Sequence, residues 1–302
     1  MASRHAYLVQ AHGNFQGLEM LLRALDDSRN DIFLHIDART KDVPHESLRA
    51  ACKHSSLHFT PRIEVHWGGP SQIWSELLLL REAACAGEYQ YYHLLSGADL
   101  PIKSQDFIHD FFDRNCGKEF VAFWKMGRST RSRFLYSPLC EYGSSFLGNA
   151  VNNIFKGVQL LLGIKRNADV DFRLGPNWFS ITDSLARYVL SRQDWIRRTF
   201  KGCCNADENF LQTLVWNSPF HERCFDPEER DSRSDTPGNM RYVDWIHSDH
   251  VRHPKLFTSS DIPVLKEREE LFARKFDYSR DPQAVILAAS LCAADTNAGG
   301  IH

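Results

Sequence analysis

Two patterns of apolar residues alternate along the first 125 residues. Short continuous apolar runs predict buried strands, and apolar residues at every third or fourth position predict helices. The predicted strands are residues 7–11, 32–36, 63–65, 91–95 and 120–124, and the predicted helices between them lie at 18–25, 73–86 and 107–112. Strands that alternate with helices are typical of βαβ units. This half therefore predicts a doubly wound sheet of the nucleotide-binding type.

The pattern changes after residue 125. Residues 126–170 begin with Arg128, Arg131 and Arg133 among serine and glycine and continue with a helical stretch at 146–162, with little strand pattern. Asp207 is the predicted N-cap of a later helix, because aspartate accepts the unpaired amide hydrogens of a first turn. Regular elements return after residue 170 as predicted strands at 177–181 and 242–245 and predicted helices at 184–190, 207–215, 263–272 and 284–294. We expect one domain, since the sequence contains no repeat and no long linker.

Composition and charge exclude several classes of protein. The chain has 302 residues, 43% of them hydrophobic, and carries 36 Lys and Arg against 38 Asp and Glu. This length supports a large core, and the balanced charge argues against a nucleic-acid partner. The longest apolar runs are far shorter than the ~18 residues of a membrane span. Eight cysteines without paired CxxC spacing and an N-terminus without a signal-peptide pattern favour a cytoplasmic protein with reduced thiols.

Acidic residues follow two of the predicted strands. Asp37 comes directly after the strand at 32–36, and Asp99 follows the strand at 91–95. In open α/β sheets, ligands bind beyond the carboxyl ends of the strands. These carboxylates are therefore candidates for binding ribose hydroxyls or a base N–H, although the same pattern also fits aspartates that only cap a helix or a turn.

Three further segments contain residues suited to catalysis or anion binding. Glu208, near the start of a predicted helix, is either a general base or a complement to the helix dipole. Lys275 lies between apolar residues, and its charge demands either a diphosphate or a structural acidic partner. Asp169 and Asp171 form a DxD pattern that can hold a divalent metal, but they follow no predicted strand. The glycines at 68 and 69 match neither a Walker loop nor GxGxxG.

Six segments, taken in order, resemble the core-2/I-branching enzyme and peptide xylosyltransferase family, glycosyltransferase family 14, in a bacterial-type form. The similarity spans about residues 5–278. The segments are IFLHID at 32–37, WGGPS at 67–71, HLLSGADLPIK at 93–103, GPNWF at 175–179, ADE at 206–208 with NSP at 217–219, and FARKFD at 272–277.

The resemblance implies a GT-A-like α/β fold with a mixed, mostly parallel sheet flanked by helices. It also implies inverting transfer from a UDP-sugar, either UDP-N-acetylglucosamine or UDP-xylose, with no metal cofactor. Basic side chains would hold the diphosphate, and Lys255 is a rival to Arg252 for one of these positions. The assigned roles are Glu208 as catalytic base, Arg252 and Lys275 on the diphosphate, Asp37 on uridine, and Asp99, Trp178 and Trp67 in the sugar and acceptor cleft.

The expected organisation is a nucleotide-sugar-binding half at 1–125, an acceptor-binding and catalytic half at 126–280, and a C-terminal helix and tail at 281–302. The acceptor class stays open among a glycan, a glycolipid and a peptide hydroxyl. The expected location is the cytoplasm, with peripheral contact at the inner face of a membrane left open. Two alternatives remain: a non-catalytic carbohydrate-binding protein, and a metal-dependent transferase that uses Asp169 and Asp171.

Overall fold

A five-stranded sheet organises the chain in a computed structural model that describes residues 3–139, 146–231, 237–248 and 253–294. Its strand order is β3-β2-β1-β4-β7, in which β1 to β4 are parallel and β7 runs antiparallel to β4. Because β7 comes from the second half of the chain, both halves contribute to one sheet. The strands are β1 His5–Ala11, β2 Asn30–Ile36, β3 Ser56–Phe59, β4 Tyr91–Ser96 and β7 Ser180–Thr182.

Helices cover both faces of this sheet. Alternate residues of β1 enter different cores, since Ala6 and Leu8 pack on one face while Tyr7 and Val9 pack on the other. Burial on both faces explains why β1, β2 and β4 contain continuous apolar runs. The helices are α1 Phe15–Ala24, α2 His45–Ala50, α3 Ser71–Ala86, α4 Gln105–Arg114, α5 Arg128–Leu135, α6 Phe146–Leu161, α7 Asp183–Ser191, α8 Gln193–Phe200, α9 Phe210–Trp216, α10 Ile262–Glu267 and α11 Pro282–Ala294.

Two small sheets extend the architecture. A three-stranded sheet has the order β5-β10-β9, with β10 antiparallel to β5 and parallel to β9. The pairing of β10 with β5 brings a C-terminal segment beside the end of β4. The strands of this sheet are β5 Asp99–Pro101, β9 Arg241–Val243 and β10 Phe272–Arg274, and a two-stranded sheet joins β6 Phe123–Trp124 to β8 Glu229–Arg230.

The predicted α/β architecture, a mixed, mostly parallel sheet flanked by helices, is confirmed. The strands predicted at 7–11, 32–36 and 91–95 correspond to β1, β2 and β4. Within the described parts of the chain, no helix has both the length and the hydrophobicity needed to cross a bilayer.

Three predicted elements need correction. Residues 63–65 form no strand, because Ile63 bonds to the His35 side chain and to the Ala38 amide rather than to a neighbouring ladder. The predicted helix at 263–272 ends at Glu267, because Arg268 is extended and the chain then leads into β10, which begins at Phe272. Asp207 is not an N-cap: α9 begins at Phe210, and the Asp207 carboxylate instead accepts a hydrogen bond from Gln72.

Candidate active site

The loops after β1, β2 and β4 meet at one edge of the sheet. The Asp37 amide donates to the Ala11 carbonyl oxygen at 2.9 Å, and the Gly97 amide donates to the Gln10 carbonyl oxygen at 2.9 Å. These bonds join the carboxyl ends of three parallel strands. This edge is where open α/β sheets bind ligands.

Asp99 is buried at this edge, where it forms an ion pair with the partly exposed Arg274. Its carboxylate accepts hydrogen bonds from the Ser96 amide at 2.7 Å, the Ser96 hydroxyl at 2.9 Å and the Arg274 guanidinium at 2.6 Å. The register of β5 and β10 places Asp99 opposite Arg274. The Arg274 guanidinium also lies over the Trp178 ring, 4.6 Å from its centroid. The predicted residues Asp99 and Trp178 are thus brought together through Arg274.

Lys275 follows Arg274 at the same place. Its carbonyl oxygen accepts a hydrogen bond from the Phe257 amide, and the next residue, Phe276, bonds to the Ala98 carbonyl oxygen. The side chain is half-buried and makes no hydrogen bond or ion pair with any residue that the structure describes. Burial, followed by repulsion from Arg274, lowers the pKa of Lys275. A partly buried ammonium without an acidic partner is suited to binding an anion.

Glu208 lies in a turn that is attached on two sides. The Glu208 carbonyl oxygen accepts a hydrogen bond from the Gly175 amide at 2.9 Å, and the preceding Asp207 carboxylate accepts one from Gln72 at 2.9 Å. Asn205 donates its amide to the Gly68 carbonyl oxygen at 2.9 Å. These contacts join the turn to the start of α3 and to the 175–179 segment. Glu208 itself is half-buried.

The close contacts around this turn explain two glycines of the sequence motifs. Gly68 has a φ of 74°, and a Cβ atom there would lie 2.9 Å from the Asn205 side-chain oxygen. A Cβ atom on Gly175 would lie 2.1 Å from the Ala122 carbonyl oxygen. A side chain at Gly68 would be strained by its positive φ, and a side chain at Gly175 would push its backbone, which bonds to the Glu208 carbonyl oxygen, away from Ala122.

A second carboxyl group lies behind this turn. Glu76 of α3 is fully buried, and neither of its carboxyl oxygens has a hydrogen-bond partner in the described structure. Burial, with a contribution from the charge of Asp207, raises the pKa of Glu76 well above its ordinary value. Burial also raises the pKa of Asp207 to about 6. The neutral, protonated form of Glu76 is therefore favoured.

Asp37 lies at the end of β2 in an ion pair. Its carboxylate accepts hydrogen bonds from the Arg39 guanidinium at 2.7 and 3.1 Å and from the Arg39 amide at 2.9 Å. Burial opposes ionisation, but the bonds from Arg39 outweigh it and lower the pKa of Asp37 to about 2. Asp37 is thus a fixed anion at the predicted edge, and its contact with uridine stays a prediction.

Three predicted residues remain: Trp67, Lys255 and Arg252. Trp67 is 69% exposed, and its ring centroid lies 6.4 Å from that of His253. Lys255 donates to the Asp261 carboxylate at 2.6 Å, so its charge already has a partner within the chain. This pairing weakens its claim as a diphosphate ligand. Arg252, the other candidate, lies outside the described residues.

Of the two aspartates of the DxD pattern, Asp171 forms an ion pair within the chain. Both Asp171 oxygens accept hydrogen bonds from Arg173, at 2.9 and 2.6 Å, while Asp169 is exposed. Among the described residues, no group of three or more His, Cys, Asp and Glu side chains is arranged to hold a metal. Independence from metal stays a prediction.

Sequence reasoning missed three residues of this site: Arg274, Gln72 and Glu76. Glu76 had a visible signal, since it is a lone acid beside four consecutive leucines. Arg274 adjoins the predicted Lys275, but its pairing with a residue 175 positions away has no local signature. Gln72 had no signal, because its partner Asp207 is equally remote.

Comparisons with known proteins identify the family of this chain. The family described as "Branch: Core-2/I-Branching enzyme" matches residues 5–269. A human beta-1,3-galactosyl-O-glycosyl-glycoprotein beta-1,6-N-acetylglucosaminyltransferase is 21% identical, over 93% of this chain and 67% of its own length.

A second curated protein and a solved structure also show similarity to this chain. Xylosyltransferase oxt of Drosophila melanogaster is 22% identical over 91% of this chain, which spans about a third (32%) of that protein. The apo structure of mouse xyloside xylosyltransferase 1 is 11% identical with a TM-score of 0.37, covering 89% of this chain and 96% of its own. On the extent of the family match, this chain belongs to the core-2/I-branching enzyme family.

Proposed function

We propose that the protein is an inverting glycosyltransferase that moves a sugar from a UDP-sugar to a hydroxyl group of an acceptor. Family membership supports sugar transfer. The observation that carries the finer proposal is Lys275, a half-buried ammonium at the carboxyl edge of the sheet without an anionic partner among the described residues. A nucleoside diphosphate supplies the missing negative charge at the place where such sheets bind nucleotides.

The reaction that fits this site needs a base and a stabilised leaving group. Glu208 takes the proton of the acceptor hydroxyl while that oxygen attacks the anomeric carbon. The bond from this carbon to the UDP oxygen breaks on the opposite side, so the configuration inverts. Lys275 and Arg252 stabilise the negative charge that develops on UDP, and no metal is required. The attachment of the Glu208 turn to Gln72 and Gly175 supports its role, because a base acts only within ~3 Å of its proton.

The donor and acceptor are proposed by chemical class. The curated relatives are an N-acetylglucosaminyltransferase and a xylosyltransferase, which supports UDP-N-acetylglucosamine first and UDP-xylose second. The acceptor is a glycan, a glycolipid or a peptide hydroxyl. Asp37 binds uridine, and Asp99 acts by holding Arg274 against Trp178. The aromatic faces of Trp178 and Trp67 pack on sugar rings.

The first test is titration of UDP into the protein in excess EDTA. We expect binding without metal and a loss of at least about tenfold in Lys275→Ala, because the ammonium is the proposed partner of the diphosphate. Lys255→Ala is the matched control, since Lys255 is paired with Asp261, and it should bind UDP like the wild type. Equal losses in both variants would remove the distinction between the two lysines. Binding that appears only with manganese would favour Asp169 and Asp171.

The second test concerns the base. Glu208→Gln preserves shape and hydrogen bonding but cannot accept the proton, so transfer should fall by about two to four powers of ten while UDP affinity is kept. The measurement is the rate of product formation with each donor over a panel of acceptors. Transfer near the wild-type rate would rule out Glu208 as the base. A wild-type protein that binds glycans but turns over no donor would support the non-catalytic alternative.

A further inference from the structure

One helix of the described chain turns its apolar side toward solvent. In α6, Leu147, Val151, Ile154, Val158 and Leu161 are all exposed, with Ile154 at 70% and Leu161 at 89%. Their spacing of four, three, four and three residues places them on one face of the helix. We call these five residues the α6 stripe.

The polar side of α6 faces the protein and is held there by hydrogen bonds. Gln159 accepts a bond from the Ser137 amide at 2.9 Å and donates to the Ser137 carbonyl oxygen at 2.9 Å. Asn152 accepts the Leu139 amide at 2.8 Å. A surface helix of a soluble domain normally has the opposite orientation, with its apolar face against the core. These bonds fix the rotation of α6 and keep the α6 stripe on the outside.

The apolar surface continues past the end of the helix. Leu160, beside the α6 stripe, is 58% exposed, and Leu162 and Ile164 are 67% and 52% exposed, so eight exposed large apolar side chains lie within eighteen consecutive residues. Isolated exposed leucines are ordinary, but a contiguous apolar patch of this size marks an interaction surface.

The surrounding charge identifies the kind of partner. Residues 128–168 contain six Lys and Arg and one acid, a net charge of +5, whereas the whole chain has a net charge of −2. Arg128, Arg131 and Lys165 are exposed and, with Leu135, line a shallow cavity of about 310 Å³. The apolar patch therefore lies within the basic part of an otherwise acidic chain.

We propose that the α6 stripe docks on the surface of a bilayer that contains anionic lipids. The helix lies in the plane of the interface, its apolar side chains enter the region between headgroups and acyl chains, and the arginines and lysine bind lipid phosphates. Sixteen residues span about 24 Å, less than the hydrocarbon core, so α6 lies on the membrane rather than across it. A second copy of the chain fits this face less well, because a symmetric contact would oppose two segments of charge +5.

Co-sedimentation of the full chain with lipid vesicles tests this surface. Vesicles of phosphatidylcholine alone are compared with phosphatidylcholine and phosphatidylglycerol at about 3:1, where anionic lipid attracts the basic segment. We expect binding to the anionic vesicles, and a loss of more than about tenfold when Ile154→Asp and Leu161→Asp are combined, since two large apolar side chains no longer enter the lipid. Arg128→Gln with Lys165→Gln should weaken binding several-fold on anionic vesicles only.

Val264→Asp is the matched control. Val264 is 55% exposed on α10, outside the patch, so this variant should bind vesicles like the wild type. Circular dichroism and the thermal midpoint should be unchanged in the Asp variants, because the replaced side chains are exposed. The proposal is overturned if the wild type fails to bind anionic vesicles, or if the α6 variants bind them equally well. It is also overturned if the wild type self-associates in sedimentation velocity without lipid and the same variants abolish that association.

Discussion

Two helices of sixteen residues, α3 and α6, differ in which of their side chains face the protein core. Helix α3 buries a run of leucines together with Glu76, whose carboxyl oxygens find no hydrogen-bond partner in the described structure. Helix α6 exposes its apolar side and buries Gln159. The side-chain oxygen and nitrogen of Gln159 both form hydrogen bonds with the backbone of Ser137. The comparison shows that polarity alone does not decide which side chains of these two helices are buried. Glu76 lies behind the Glu208 turn, and the α6 stripe faces a proposed partner.

The largest difference in stability should appear when one leucine of α3 and one of α6 are each replaced by alanine. Leu79→Ala in α3 removes a fully buried side chain and should lower the free energy of unfolding by about 2–5 kcal/mol. Leu161→Ala in α6 removes a side chain that is 89% exposed and should change it by no more than about 0.5 kcal/mol. Chemical denaturation of both variants without lipid measures the difference. Similar losses would mean that α6 packs its apolar side against the protein in solution.

The hydrogen bonds of Gln159 give the next largest effect. Gln159→Ala leaves the amide and the carbonyl oxygen of Ser137 without their side-chain partner and should cost about 1–3 kcal/mol in the free energy of unfolding. Asn153→Ala is the matched control, because Asn153 is an exposed polar residue on the same helix. If the two variants are equally stable, the hydrogen bonds to Ser137 do not fix the orientation of α6.

Local patterns predicted much of the fold. The strands β1, β2 and β4 are buried on both faces, so their continuous apolar runs identify them without knowledge of their partners. Strands β5 and β10 were not predicted, because each has only three residues, whereas the equally short β7 and β9 were predicted from longer apolar runs that overlap them. Periodicity also predicted α6, but it does not specify which side of a helix faces the core.

The candidate site was predicted mainly through short motifs. These motifs singled out Asp99, Glu208 and Lys275, and the structure adds the partners that hold or surround them. The bond between Gln72 and Asp207 joins residues 135 positions apart, and that between Arg274 and Asp99 joins residues 175 positions apart. Such pairings depend on how β5, β10 and α3 are arranged in space. No local spacing contains this information.

The last expected effect is specific to α3: the free energy of unfolding should depend on pH through Glu76. Burial raises the pKa of Glu76 in the folded chain, while the unfolded chain keeps an ordinary value of about 4.3. Below this pH, Glu76 is protonated in both the folded and the unfolded chain, so its ionisation does not reduce the free energy of unfolding. As the pH rises above it, the unfolded state releases the proton first, so stability falls until the folded pKa is passed. Glu76→Gln removes this loss and should therefore raise the free energy of unfolding at pH 8 relative to that of the wild type.

Urea denaturation between pH 5 and 8 measures the slope of stability against pH in both proteins. A residual slope should remain in Glu76→Gln, because burial also raises the pKa of Glu119 to about 7 and that of Asp207 to about 6. Glu82→Gln is the matched control, since Glu82 lies on the same helix beside Arg81 at the surface, and its slope should equal that of the wild type. An unchanged slope in Glu76→Gln would mean that Glu76 ionises normally, and α3 would then contain no proton-binding carboxyl behind the candidate base.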